Sequence, residues 1–486
     1  MVFLVISIAG SSDCSGFVAK EEVIMREIYS KFGVIPKILG IAVLFVSFSE
    51  PSLANLPKPN EIQQILQQHV DADQNVGAIV SMVTPNADFS FAVGRTSLSD
   101  TIKPQQDTLF EIGSISKVFT GLLLAHLVLE NKASLADPVS KFFPELKGLP
   151  TGPITLMELS THTSGLPRLP TNLWIQDPLD PYYAYQIGDL FKFLKTFPLG
   201  KRPTEFSWDN YSNVGVGLLG YVLTRISGKT YAELLRDVIT QPLQMNDTVI
   251  RLNSDQSVRF AKPYNSALVE VKPWLLPDAF VGSGGIRSTQ ADMTKFLRAA
   301  MNPTASPLAR AFKLSQQVHA SSDKGSIGLG WAIDRNHEGQ TRILSHSGGT
   351  GGYKSFIGFN AKKGIGFVSL TNTSSGLQCL EEILLWRGVC EPNFGLALPG
   401  NILDSYQGVY ERENFATPDL ELRIFRKRSL LIYEIVGQEM GRLRAVSETK
   451  FEVPGIAIFS FVTDTSGAVS GLRIEQGGRV FSFRKN

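Results

Sequence analysis

Cysteine is scarce in this sequence: Cys14, Cys379 and Cys390 are the only three in 486 residues. That is too few for a disulfide framework, and none has the spacing of a zinc site. Histidine is nearly as rare, with six, and no His-Glu-x-x-His pair occurs, so nothing advertises a metal. Excess charge is also missing. Lys and Arg number 47 against 45 for Asp and Glu, a formal charge of +2, and no block of like charge occurs. A nucleic-acid binder held by a basic patch is therefore excluded. Apolar side chains, by contrast, make up 43% of the chain, enough to fill globular cores. The length implies two or three folding units, and an enzyme is the natural expectation.

Residues 1–54 do not read as fold. Lys37 precedes an apolar run, Ile38–Phe48, that falls short of the about 20 residues needed to span a bilayer. Ser52 and Ala54 match the small-residue cleavage pattern of a secretory signal, with Arg26, Lys31 and Lys37 as its basic region and Met25 as a natural start. No stable membrane span is expected. In an oxidising compartment Cys379 and Cys390 can pair; two free thiols fit the sequence equally well.

After the leader, Glu61–Ala72 has helical apolar spacing, and Val76–Val83 with Phe89–Val93 reads as a hairpin across Pro85-Asn86. Ser114–Asn131 is apolar almost all round, which predicts a buried central helix. A Pro- and Gly-punctuated helical middle follows, about 132–280. Strand signals return at Arg342–Leu344, Tyr353–Phe359 and Gly366–Leu370, then a helix about Gly376–Arg387. Strands on both sides of a helical middle predict one antiparallel sheet built from both ends of a 55–395 catalytic domain, flanked by helices and carrying an α-rich insertion. Residues 400–486 read as a small all-β domain, an antiparallel barrel or sandwich, with strands at Leu420–Ile424, Leu430–Ile435, Ile456–Phe461, Leu472–Ile474 and Val480–Phe483.

Two motifs mislead. Gly215-Val216-Gly217-Leu218-Leu219-Gly220 spells G-x-G-x-x-G but follows a polar loop rather than a strand, so close helix packing explains it better than a dinucleotide. Gly228-Lys229-Thr230 lacks the earlier glycine of a phosphate loop. No G-x-S-x-G nucleophile elbow occurs. The productive pattern is Phe110-Glu111-Ile112-Gly113-Ser114-Ile115-Ser116-Lys117. Positions three apart share a helix face, so the Lys117 amine can reach the Ser114 hydroxyl. A lysine buried against this apolar helix loses affinity for its proton and can activate the hydroxyl. Tyr211-Ser212-Asn213 offers a phenol and an amide ahead of a second apolar helix. His346-Ser347-Gly348-Gly349 offers an imidazole, a hydroxyl and flexible backbone just before a strand.

In order and context these stretches resemble the serine β-lactamase and penicillin-binding-protein superfamily, class C β-lactamases in particular. Phe110–Lys117 fits that group's active-site pattern at every position. Ile154–Pro167, Tyr211–Tyr221, Gln241–Thr248, Gly282–Phe296 and Leu344–Phe356 look like its other blocks, in order over about 60–390. The resemblance implies that Ser114 is an acylated nucleophile, Lys117 its activator and Tyr211 a general base and acid. It also implies that Asn213, His346, Ser347 and Gly348 bind substrate, and that the backbone N–H groups of Ser114 and Gly349 form an oxyanion hole. No metal or organic cofactor is implied. The implied substrates are D-Ala-D-Ala-type peptides, peptidoglycan peptides among them, or small β-lactams, met in the periplasm after secretion.

Two departures stand out. Ser212 replaces the usual alanine, a small change. His346-Ser347-Gly348 replaces Lys-Thr-Gly, a pattern found in the peptidase, D-amino-acid amidase and esterase branches. An ordinary histidine is partly charged near pH 7, so binding of carboxylate substrates is expected to weaken above about pH 7. An esterase or amidase on the same scaffold, and a penicillin-binding sensor that acylates without turnover, are the rival readings.

Overall fold

The computed structural model describes residues 58–486 except 178, 324, 336–341, 378, 381–391, 413–420 and 436–438. The leader read over 1–54, and all but the start of the helix read over 376–387, lie outside the described residues. So does Cys390; Cys379 is disulfide-bonded. The described residues fall within one compact unit, Asn55–Asn486, and none of their helices is long and apolar enough to cross a membrane.

Among the described residues, ten strands build the body: β1 Gly77–Val83, β2 Asp88–Gly94, β3 Leu109–Glu111, β4 Arg287–Thr289, β5 Ala320–Ser322, β6 Gly325–Ile327, β7 Ala332–Arg335, β8 Arg342–Gly349, β9 Lys354–Asn360 and β10 Ile365–Thr371. Eight form one sheet in the order β2-β1-β10-β9-β8-β7-β6-β5. β1 pairs antiparallel with β10, Ala78 facing Thr371, so the sheet is built from both ends of the region, as the sequence predicts. Side chains alternate across a strand, and β1 shows it. Ala78, Val80 and Met82 pack beneath helix α1 (Pro59–Asp71) with Ile62 and Leu66. Ile79 and Val83 join the large core on the other face. Both faces are covered, which is why all seven residues of β1 are buried.

The second face carries helix α2 (Ser116–Leu129), preceded by a 3-10 turn at Gly113–Ile115. Ser114 therefore sits in a tight turn before α2 rather than in its first α-turn, while Lys117 is the second residue of the helix. Against α2 lies α3 (Asn213–Ser227). Its glycines act as spacers: a Cβ on Gly217 would lie 2.2 Å from the Ala279 carbonyl oxygen, and one on Gly220 2.9 Å from Gly282 Cα. The G-x-G-x-x-G run is thus a helix-packing device.

The C-terminal residues close into an eight-stranded antiparallel barrel, β11 Gly408–Arg412 through β18 Arg479–Lys485, which decides barrel over sandwich. Tyr410, Phe451, Phe459, Phe461 and Leu472 fill it. The turn after β12 (Glu421–Lys427) rests on the body: Arg428 pairs with Asp73 at 3.2 Å, and Lys427 Nζ donates to the Leu268 carbonyl at 2.6 Å.

Candidate active site

Three chain segments converge on the turn holding Ser114. Lys117, 1% exposed, directs Nζ at Ser114 Oγ (3.0 Å), Asn213 Oδ1 (2.9 Å) and the Ser283 carbonyl (2.7 Å). Burial, and to a lesser degree the nearby Arg168 guanidinium, hold its pKa well below the usual lysine range. Three acceptors favour an ammonium, yet none of them is charged, so desolvation prevails. As a neutral amine, Lys117 can give its two hydrogens to Asn213 and Ser283 and turn its lone pair to the Ser114 hydroxyl.

Asn213 is placed by the start of α3. Ser212 Oγ accepts from Gly215 N–H at 2.9 Å, a helix N-cap, and donates to the Pro167 carbonyl at 2.7 Å. Ser212 N–H in turn donates to His162 Nδ1 at 3.1 Å. The His162 ring lies 4.4 Å from the Tyr211 ring, so this histidine both bonds the backbone at Ser212 and braces the phenol. Tyr211 is hydrogen-bonded to Ser114, and burial, the larger influence, pushes its pKa up to about 12. The phenol is therefore neutral at ordinary pH, which favours the acid half of the role expected of Tyr211 over the base half. Trp208, 45% exposed, lies 6.0 Å from the same ring.

The end of β8 completes the site. β7 pairs with β8 only through Arg342–Ser345. His346–Gly349 pair with β9 alone, leaving their other edge without a strand partner among the described residues. Gly113 is what lets this strand approach the turn. Its φ is +49°, and a Cβ there would lie 2.6 Å from Gly349 N. A Cβ on Gly348 would lie 2.1 Å from the Ile112 carbonyl oxygen. Gly349 and Ser114 line one small hollow, about 30 Å³, with Tyr182, Asn213, Trp274 and Leu276. A larger cleft of about 700 Å³ beside Tyr231 shares only Leu276 with it and holds none of the reactive side chains.

His346 lies where expected, 6.4 Å from the Tyr211 ring between centroids, but its expected charge is corrected. Burial, then the charge Lys117 carries when it is protonated, lower its pKa to about 4, so the ring is neutral near pH 7 and cannot act as a partly charged anchor there. Its Nδ1 bonds the Ser347 carbonyl at 2.6 Å; a neutral ring donates from Nδ1 in that contact and keeps an acceptor at Nε2. Ser347 itself is exposed on the strand.

Sequence reasoning passed over Arg168, Ser283 and the pocket aromatics Tyr182 and Trp274. It also passed over the ion pair beneath the site, Arg287 Nη2 to Glu111 Oε1 at 3.2 Å. Arg287 also donates to the Trp274 carbonyl at 2.8 Å, tying β4 to the pocket wall. Ser283 and Arg287 lie in the Gly282–Phe296 block, which the resemblance marked without assigning roles. Arg168 follows the Ile154–Pro167 block by one residue.

The site thus sets a hydroxyl against a buried, desolvated amine and a phenol, beside a strand end whose outer edge has no strand partner among the described residues. Fold and site together are those of a serine hydrolase. The chain belongs to the Beta-lactamase family, whose model matches residues 62–384. It is 30% identical over 303 residues to the D-alanyl-D-alanine-carboxypeptidase/endopeptidase AmpH of Escherichia coli (strain K12), covering 58% of this chain and 75% of that one. It is 24% identical to a beta-lactamase of the same strain, covering 66% of this chain and 91% of that one. The solved class C beta lactamase from Rhodobacter sphaeroides superposes with a TM-score of 0.56 at 24% identity, covering 64% of this chain and 94% of that one.

Proposed function

We propose that this protein is a secreted, periplasmic serine hydrolase that acts through an acyl-enzyme on D-Ala-D-Ala-type peptides and β-lactam rings. The observation that carries the reading is the 3.0 Å contact between Lys117 Nζ and Ser114 Oγ, made by a lysine 1% exposed. Lys117 takes the Ser114 proton as the oxygen attacks the substrate carbonyl. The backbone N–H groups of Ser114 and Gly349 receive the developing oxyanion, where such donors are worth about 3 kcal/mol each. Tyr211, protonated at working pH, gives its proton to the leaving nitrogen and is reprotonated from Lys117. Asn213 holds both Lys117 and the substrate amide, and the free edge of His346–Gly349 offers backbone groups to an extended peptide. Water then releases the acyl group by the same groups in reverse. The leader pattern supports export, and the family names among its relatives support the substrate class.

Intact-mass spectrometry after benzylpenicillin tests this. A penicilloyl adduct that forms and decays, absent in Ser114→Ala, together with D-alanine release from a D-Ala-D-Ala peptide, is the expected result. An adduct that never decays points to a sensor. Turnover of p-nitrophenyl acetate with no adduct and no D-alanine release points to an esterase and overturns the proposal.

A further inference from the structure

A carboxylate arriving at this site finds few cations. His346 is neutral near pH 7 with Nδ1 occupied, and Lys117 is enclosed by a hydroxyl and two amide oxygens. Lys354 is exposed, but it pairs in register with Gly349, and residues in register project from the same face of a sheet. That face is opposite the one where Gly348 and Ser355 meet the Ile112 carbonyl beside Ser114.

Arg168 differs on each count. Its side chain is exposed, and among the described residues its guanidinium makes neither an ion pair nor a hydrogen bond. The guanidinium carbon lies 5.2 Å from the centre of the Tyr211 ring. Its backbone is registered to the site, because the Arg168 carbonyl accepts from the N–H groups of Asn213 at 3.0 Å and Val214 at 3.4 Å, the first turn of α3. The cation is therefore carried by the residues that place the phenol and the amide. It also lies on a definite side: the hollow at Ser114, lined by Tyr182 and Trp274, includes neither Tyr211 nor Arg168, so that hollow suits the acyl portion. Tyr211, as proton donor, marks the leaving-group side, where Arg168 stands.

We propose that Arg168 binds the carboxylate of the leaving group, so that the site selects amides whose departing portion is an amino-acid anion. An arginine fork suits a carboxylate in two-point geometry. This inference rests on the reading of Ser114, Lys117 and Tyr211 given above and names the substrate feature that the site selects.

The test compares the full-length enzyme with Arg168→Met, Arg168→Lys and Lys354→Met. The substrates are an N-acyl-D-Ala-D-Ala peptide with a free carboxylate, the same peptide as its C-terminal amide, and p-nitrophenyl acetate. For Arg168→Met, kcat/KM on the free acid is expected to fall roughly tenfold or more through KM, while the amide and the acetate change less than about threefold. Arg168→Lys regains part of the loss, and Lys354→Met behaves as wild type. An equal fall on acid and amide, no fall on either, or a selective fall in Lys354→Met overturns the inference and leaves the proposed function standing. Wild-type enzyme that cleaves the acetate but neither peptide overturns the proposed substrate and the inference with it.

Discussion

The backbone N–H of Ser212 and the Nδ1 of His162 meet at 3.1 Å, so a histidine that touches no reacting atom holds the strand of chain between Tyr211 and Asn213. Nδ1 must accept in this bond, which puts the ring proton on Nε2. Burial and surrounding positive charge keep the ring neutral. His162 itself has φ +59°, a conformation asparagine tolerates better than most residues. His162→Ala leaves a buried N–H unsatisfied and is expected to cost about 1–3 kcal/mol and to lower kcat about tenfold or more. His162→Asn, whose amide oxygen can replace Nδ1, is expected to recover most of the stability. Urea melts and kcat for the two variants check this, and equal losses would refute the hydrogen-bond account.

The charge states of Lys117 and His346 set the pH behaviour. The Lys117 pKa is held well below the usual lysine range, so with Lys117 as the base of the proposed mechanism activity is expected to decline at low pH as the amine takes up a proton. Tyr211, pushed up to about 12, imposes no alkaline loss below that. His346, near 4, imposes none between about pH 5.5 and 8.5. Affinity for a carboxylate substrate is thus expected to be flat over that window, measured as KM in a common buffer series. A fall centred near pH 6.5 would restore the charged-histidine anchor.

The same shift has a consequence for stability. An unfolded histidine takes up a proton as pH falls below about 6.5, whereas the folded His346 resists until about 4. The unfolded state binds more protons in between, so stability is fully present above about 6.5 and is lost as pH falls toward about 4, on the order of 3 kcal/mol. His346→Gln is expected to reduce the difference between urea melts at pH 7 and pH 5. His162, shifted the same way, keeps part of the dependence in the variant.

Glu111 and Arg287 form a buried pair, 4% and 7% exposed. Burial raises the Glu111 pKa and the Arg287 charge opposes that rise. Glu111→Ala strands a buried guanidinium and is expected to cost about 3–5 kcal/mol. Glu111→Leu combined with Arg287→Met removes both charges and should recover part of it. Recovery stays incomplete because Arg287 also donates to the Trp274 and Ile250 carbonyls, both at 2.8 Å. A thermal-melt double-mutant cycle reads the coupling, and additive losses would refute it.

Gly113→Ala places a methyl group 2.6 Å from Gly349 N at a residue with φ +49°. The strand end must move away from Ser114, and kcat is expected to fall about 100-fold or more, the scale of losing one oxyanion donor. Retained activity would mean that Gly349 N–H is not part of the oxyanion hole.

Local pattern was enough for much of the fold. The largely apolar runs at 76–83 and 89–93, broken by Pro85-Asn86, became β1 and β2, and the apolar stretch after Ser114 became α2. β8 was read only to Leu344 because His346-Ser347-Gly348-Gly349 has weak strand propensity; pairing with β9 extends it to Gly349. In the barrel, Gly408–Arg412, Glu439–Ala445 and Lys450–Val453 were passed over. They are short or rich in charge, and closure of the barrel, rather than their own composition, makes them strands.

What the sequence determined by itself was the chemistry on offer: a serine and a lysine one helical turn apart, a phenol beside an amide, and a histidine before two glycines, each in local frames that short-range propensity dictates. Protonation state and company were decided only by tertiary structure. Whether Lys117 is a base, whether His346 bears charge, and whether Arg168 faces the same phenol depend on burial and on groups far apart along the chain. Desolvation and charge proximity act through space, and no spacing along the chain encodes them.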